Sequence, residues 1–484
     1  MVALAHLARI GTIEGHAAKC GDGGQVAQGG TGRSLDVTSG TIWRQLLRLS
    51  VPVLLSSLCQ QTYALANTWV VGRFAGKDSL AAIQATVTLS DLVVGFSMGV
   101  GVGCGIVVSQ LFGAHEDDRL SRAVHTAMGI ALVGGAGFSL AGFLMVERLL
   151  RLMGTPAEIF DEALAYARVY ALALVFSITF NMGSALQRAV GDTRTPSVVV
   201  AGTSLLNVAL DLLFVGRLGM GAVGCGYATA LTLAAGAAIT LACLMRAPEP
   251  WRLHPSRIRL EPHMTRLMVK TGLPLGVQIS VYSVSNIIAQ SAINSFGTDY
   301  VAAWGLSSRL DSVIWMVSDA LGTSVTTFAA QNFGARDFGR MRQGLRTSLA
   351  MTALVVGGLS ALLVAFGYPL SRFFVDDPGV DALSALALQF IGPFYVCYSL
   401  MDNIGGTIRG AGESVRPMLL TILGTCVFRV IWLLVVVPVH HTFEMVLVGY
   451  PVTWILTGIL FVAYYRHGHW LQHAADHERE HLAT

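Results

Sequence analysis

"SQLFGAHEDDRL" at residues 109–120 and "AQNFGARDFGRM" at residues 330–341 carry one pattern, Q-x-F-G-A, twice in a single chain. The copies stand 221 residues apart, from Gln110 to Gln331 and from Gly113 to Gly334. The same shift carries Arg119 onto Arg340 and, upstream, Ala81-Ala82 onto Ala302-Ala303. Downstream it lays "QRAVGDTRTP" (187–196) on "IRGAGESVRP" (408–417), so that Arg188 meets Arg409, Gly191 meets Gly412, Asp192 meets Glu413 and Pro196 meets Pro417. A constant shift over so long a stretch marks a duplicated unit.

The duplicated material is apolar. Of 484 residues, 53% are hydrophobic and 13% charged, where a soluble chain carries about 25% charged residues. Many apolar runs exceed the roughly 20 residues that span a bilayer. The predicted fold is an all-α polytopic membrane protein with twelve transmembrane helices in two six-helix lobes. The predicted spans in the first copy are 47–70, 84–111, 123–146, 161–187, 195–215 and 221–245. Those in the second are 267–296, 300–330, 347–370, 382–407, 416–438 and 444–465. The lobes occupy 41–246 and 264–467, joined by a linker at 247–263. Residues 1–40 are polar and Gly-rich, lack the pattern of a signal peptide, and read as a disordered tail.

Arginine and lysine set the expected sidedness. Arg119 and Arg122 follow the second span, Arg188 and Arg194 the fourth, and Arg246, Arg252, Arg257, Arg259, Arg266 and Lys270 crowd the linker. Both termini and the linker are therefore expected in the cytoplasm. Six spans per copy give the two copies the same orientation, which places a cavity between parallel repeats.

Each motif has a plain reading and a sharper one. Q-x-F-G-A ends its span: the glycine closes the helix in a left-handed conformation and the Gln amide satisfies freed carbonyls, or the motif is a gate or hinge contact. R-x-x-G-[DE] with a following Pro reads as a tight turn into the next helix. "GVGVGCG" (99–105) sits inside a span and follows no strand. Gly99/Gly103 and Gly101/Gly105 are small-xxx-small pairs for close helix approach, not a phosphate loop. No Walker A pattern occurs. His469, His473, His477 and His481 recur every four residues in the tail 468–484; a solvated tail and a metal-binding face both fit that spacing.

The assembled residues resemble the multidrug and toxic compound extrusion (MATE) family over about 41–467. The resemblance rests on "VVGRFAG…SLAA", the two Q-x-F-G-A strings, "RAVGDTRTP", "LNVALDLLFV" followed by "GMGAVGCGYATA", "TGLPLGVQ" and "RGAGES". It implies a two-lobed bundle of twelve helices in the plasma (inner) membrane, acting as a monomer. It also implies export of small organic cations or amphipathic drugs in exchange for H⁺ or Na⁺, with no other cofactor, no metal and no nucleic-acid partner. The family's first span often carries an acid shortly before V-G-R; Asn67 stands there in "YALANTWVVGR", and an amide cannot take up a proton. Asn207 and Asp211 match the Asn-x-x-x-Asp of one branch and share a helix face. Asn181 is expected to complete that polar cluster. Asp402 is the C-lobe candidate, with Arg429 as an alternative structural partner. An intramembrane acid costs about 2.5–3.5 kcal/mol on insertion scales and usually faces a cavity. Asp91, Asp311 and Asp319 are placed nearer helix ends. A lipid-linked precursor or metabolite flippase of the same superfamily is the rival reading; it calls for a more cationic cavity than Arg309 and Arg429 supply. A major-facilitator transporter would need a basic D-R-x-G-R loop where "GAHEDDRLSR" stands, and no H-E-x-x-H or G-x-S-x-G supports an enzyme.

Overall fold

The computed structural model of the protein describes residues 34–375, 377–468, 470 and 471. Among them the chain forms twelve long helices and no strand. The first six are α1 (Ile42–Phe74), α2 (Gly76–Gly113), α3 (Asp117–Leu152), α4 (Ala157–Ala189), α5 (Arg194–Arg217) and α6 (Gly221–Met245). The second six are α7 (Pro262–Asn294), α8 (Thr298–Gly334), α9 (Phe338–Phe374), α10 (Pro378–Gly410), α11 (Val415–Val439) and α12 (Phe443–His467). Eleven of the twelve predicted spans lie within one of them, and the span 267–296 runs two residues past the end of α7. By length and apolarity 11 qualify as membrane-crossing. The exception is α1, whose middle carries Gln60, Gln61 and Asn67. Two of those, Gln60 and Gln61, line a cavity, which explains a polar stripe on a spanning helix.

Acids open several helices. Asp192 accepts from the Thr195 amide at 3.0 Å at the start of α5. Glu162 of α4 accepts from the Ala222 amide at 2.8 Å at the start of α6. Both satisfy N–H groups that a helix leaves unpaired in its first turn. Gly191 and Gly412 hold φ of 81° and 92°, the left-handed turns that R-x-x-G-[DE] predicts.

The halves meet where backbones come close. A methyl added to Gly99 would lie 2.4 Å from the Gly276 nitrogen, and one added to Gly103 would lie 2.2 Å from the Gly272 Cα. The small-residue stripe of α2 thus crosses a matching stripe of α7, as close helix approach in lipid requires. Gly105 faces Ala185 of α4 instead, at 3.4 Å from its carbonyl oxygen.

Two expectations change here. Gly113 and Gly334 do not turn left-handed. Positive φ falls two residues later, at His115 (56°) and Arg336 (60°), themselves 221 residues apart. Residues 34–40 also do not belong to a free tail. Val37 is fully buried against Leu46, Leu49 and Phe328. The composition of residues 1–40 hid one short apolar element at their end. The histidine stripe and residues 1–33 fall outside the described residues.

Candidate functional site

The site has three parts: a seal, a cavity and a buried acid. At the seal, α2 and α8 cross at their C-terminal ends. A methyl on Gly113 would lie 2.0 Å from the Gln331 carbonyl oxygen, and one on Gly334 would lie 1.9 Å from the Gln110 carbonyl oxygen. The glycines are therefore contact points between the halves. The glutamine side chains complete the crossing. Gln110 Nε2 donates to the Gly410 carbonyl at 2.8 Å, and Gln331 Nε2 donates to the Ala189 carbonyl at 2.9 Å. Ala189 and Gly410 are themselves separated by the repeat shift, so the two bonds are mirror images. Each Gln does satisfy a helix-end carbonyl, but one in the opposite half.

Segment 34–40, with Val37 buried, adds to the seal. The Leu35 amide donates to the Val190 carbonyl at 3.2 Å. The Val37 amide donates to Gln331 Oε1 at 3.1 Å. The Val37 carbonyl accepts from Asn332 Nδ2 at 3.2 Å and from Arg340 Nε at 3.1 Å. The segment thus bonds the first half at Val190 and the second at Gln331, Asn332 and Arg340. A further bond joins the two halves directly at this end, from Arg340 Nη2 to Gln45 Oε1 at 2.7 Å.

Beyond the seal lies a cavity of about 600 Å³. Ser57, Gln60 and Gln61 of α1 contribute from the first half; the rest of the wall comes from α7, α8, α10 and α12. It is aromatic: Trp304, Trp315, Tyr395, Tyr398, Tyr450 and Trp454 face it, with Trp315 and Tyr398 edge-to-face at 4.8 Å. Asp311 stands among them and accepts from the Tyr395 hydroxyl at 2.6 Å. Asp311 and Asp319 are not near helix ends as expected, because α8 runs from 298 to 334 and places both well inside it. Asp91 likewise lies inside α2. Toward the seal a second space of about 250 Å³ is lined by Arg188, Asp319, Asp402 and Arg409. Asp402 pairs with Arg409 at 2.9 Å, not with Arg429. Seven residues, about two turns, along α10 bring those two side chains together, whereas Arg429 turns to Asn286 at 2.9 Å.

The buried acid is Asp211, 0% exposed at the point where α5 passes into a π-helical turn at Leu212–Arg217. The Cys225 thiol, set among Asn67, Thr229 and Asp211, donates to Asn67 Oδ1 at 3.4 Å. Both Asp211 carboxylate oxygens lack a hydrogen-bond partner among the described residues. Asn207, one turn earlier, donates to Thr232 Oγ1 at 3.2 Å. Asn67 and Asp211 are thus brought together. Asn181 is not: its amide donates to the Ser177 carbonyl of its own helix at 2.9 Å. A mid-helix amide has that back-bond within reach whatever its neighbours.

Sequence reasoning missed the aromatic cavity. The signal was present on α8, where Trp304, Ser308, Asp311, Trp315 and Asp319 recur at helical spacing on one face.

Two parallel sets of six spanning helices, sealed at one end around a polar and aromatic cavity, define a multi-pass membrane transporter. The MatE family profile matches residues 52–213 and 274–463, and the chain belongs to that family. Its members are transporters, not enzymes. The chain is 27% identical over 441 residues to the probable multidrug resistance protein YoeA of Bacillus subtilis (strain 168), covering 88% of this chain and 94% of that protein. It is 26% identical over 352 residues to an FAD transporter of Shewanella oneidensis, covering 71% of this chain and 76% of that protein. A solved outward-facing conformation of a multidrug resistance MATE family transporter shares the fold, with TM-score 0.84 at 20% identity over 93% of this chain and 100% of that one.

Proposed function

We propose that the protein is a secondary active antiporter that exports cationic or amphipathic organic compounds in exchange for H⁺ or Na⁺. It works as a monomer in the plasma (inner) membrane, with both termini and the 247–263 linker in the cytoplasm. The seal at Gln110 and Gln331 is then the cytoplasmic gate, and the cavity opens outward. One observation carries the reading: a cavity lined by both halves, with an acid among aromatic rings, lies beyond a contact that the halves make by pairs of mirrored bonds. Rocking the halves about that contact alternates access. Aromatic faces and a carboxylate suit an organic cation. Relatives bearing multidrug resistance names fit this assignment.

Asp211 is the proposed coupling group. A carboxyl withdrawn from water and from donors is stable as the neutral acid, so it can take up a proton in one state of the lobe and release it in another. Asn67 and Asn207 shape its pocket, and the amide oxygen of Asn67 gives Na⁺ a second ligand beside the carboxylate. Asp402 is held by Arg409 and balances charge at the base of the cavity. The test is transport in proteoliposomes under separately imposed H⁺ and Na⁺ gradients, with a panel of cationic dyes. Dye movement driven by one gradient and abolished by its collapse supports antiport. No gradient-driven movement of any dye would refute it.

A further inference from the structure

One wall of the cavity that holds Asp311 is backed by a cation with no acid of its own. Arg429 of α11 is 1% exposed. Its Nη1 donates to Asn286 Oδ1 at 2.9 Å, while Nε and Nη2 have no hydrogen-bond partner among the described residues. Its guanidinium lies over the Tyr450 ring at 4.3 Å and the Tyr282 ring at 5.5 Å. No carboxylate lies within salt-bridge distance of it among the described residues. A buried guanidinium with two idle donor positions and no counter-charge is costly in a membrane lobe. Packing alone does not call for it, since an apolar side chain fills such a space without that cost.

Tyr282, Asn286 and Tyr450 all line the cavity that holds Asp311. Arg429 therefore stands one side chain behind the wall. It also fixes what that wall offers. The guanidinium occupies one lone pair of the Asn286 carbonyl oxygen, and the Asn286 amide keeps its two N–H donors. The rings of Tyr282 and Tyr450 each turn a face to the cation. One wall is thus backed by positive charge and carries N–H donors. Asp311 puts a carboxylate on the α8 wall of the same space, and Asp319 lines it further along. The cavity is dipolar.

We infer that Arg429 is a specificity-determining residue, and that the preferred substrate is an amphipathic zwitterion, its cationic group toward Asp311 and its carboxylate or phosphate toward Asn286, Tyr282 and Arg429. The inference rests on the export reading above and narrows its substrate class. A charge one side chain behind the wall still acts across it, because the intervening protein screens it less than water does. A substrate anion supplies the counter-charge that the protein withholds. A substrate with a cation alone leaves Arg429 unanswered.

A matched pair of probes isolates the anion: a quinolone zwitterion carrying a free carboxylate, and its methyl ester, which keeps the ring system and the amine. Affinity and proteoliposome transport of both are measured for the full-length wild type, Arg429→Gln and Arg429→Lys. The wild type is expected to favour the acid over the ester by roughly tenfold. Arg429→Gln should bring that ratio close to one, and Arg429→Lys, which keeps the charge, should retain most of the preference. A Gln variant in which both affinities fall together with the ratio unchanged would make Arg429 a structural prop and overturn the inference. If the Gln variant fails to insert, the wild type and Arg429→Lys decide the matter: a wild type that prefers the ester, or neither probe, overturns the inference, and preference for the acid that Arg429→Lys retains upholds it. A wild type that moves neither probe, nor any cationic dye, would overturn the export reading and this inference with it.

Discussion

The two halves are alike at the seal and unlike beyond it. At the seal the repeat shift pairs Gln110 with Gln331 and Ala189 with Gly410, which make the same kind of bond, and Gly191 with Gly412, which share a left-handed turn. Beyond the seal the pairing loses its chemistry. Asp311 answers to Ser90, Asp319 to Met98, Trp315 to Val94, Tyr395 to Leu174 and Asp402 to Asn181. The second half supplies most of the wall of the aromatic cavity and its two acids, while the first encloses Asp211 at the π-helical turn of α5. Duplication supplied a two-sided contact that closes symmetrically. On the function proposed above, substitution then divided the labour, with ion handling in one half and substrate handling in the other.

The symmetric part should be the most fragile. Gly334→Val places a branched side chain where even a methyl would stand 1.9 Å from a carbonyl oxygen. The seal cannot then close, and transport should fall to background while the protein still inserts. Spin-label distances across the α2–α8 crossing should lengthen. Unchanged distances with full transport would mean that the crossing is not the gate.

The glutamines should differ in degree. Gln331 holds both the Ala189 carbonyl and the Val37 amide, whereas Gln110 holds the Gly410 carbonyl. A buried hydrogen bond contributes about 0.5–1.5 kcal/mol net. Gln331→Ala should shift the open–closed balance by about tenfold, from roughly 1.4 kcal/mol across two bonds, and Gln110→Ala by less. Equal effects would show that segment 34–40 adds nothing to the gate.

That segment gives a smaller contrast. Removing residues 1–33 is expected to leave efflux intact. Removing residues 1–40, or Val37→Asp, should weaken the closed state by a few fold and raise the accessibility of a cysteine placed at the seal. A 1–40 deletion that labels like the wild type would return the segment to the status of a tail.

How far the sequence discloses this division depends on where partners lie. Twelve helices were legible because each apolar run carries its own signal, and the repeat because the shift holds along the chain. The role of Q-x-F-G-A was half legible. A helix-end glutamine needs a carbonyl, but only the fold shows that the carbonyl belongs to the other copy. Gly113 and Gly334 look like turn glycines locally and are crossing points in space. Tyr450 and Trp454 read as ordinary core in an apolar span; nothing in the α12 stretch points to Asp311 on α8. Asn181 was misjudged because its bond is made within its own helix, which no spacing rule separates from a bond across helices.

The division of labour is tested most directly by measuring substrate affinity at several pH values for Asp211→Asn and Asp311→Asn beside the wild type. Both changes keep the side chain's size and remove its capacity to ionise. Asp211→Asn should bind substrate about as tightly as the wild type at its optimum but with affinity no longer responding to pH, and it should not couple efflux to a gradient. Asp311→Asn should bind cationic substrates weakly at every pH while its remaining transport still follows the gradient. A pH response intact in Asp211→Asn and absent in Asp311→Asn would place the coupling group in the second half and contradict the account.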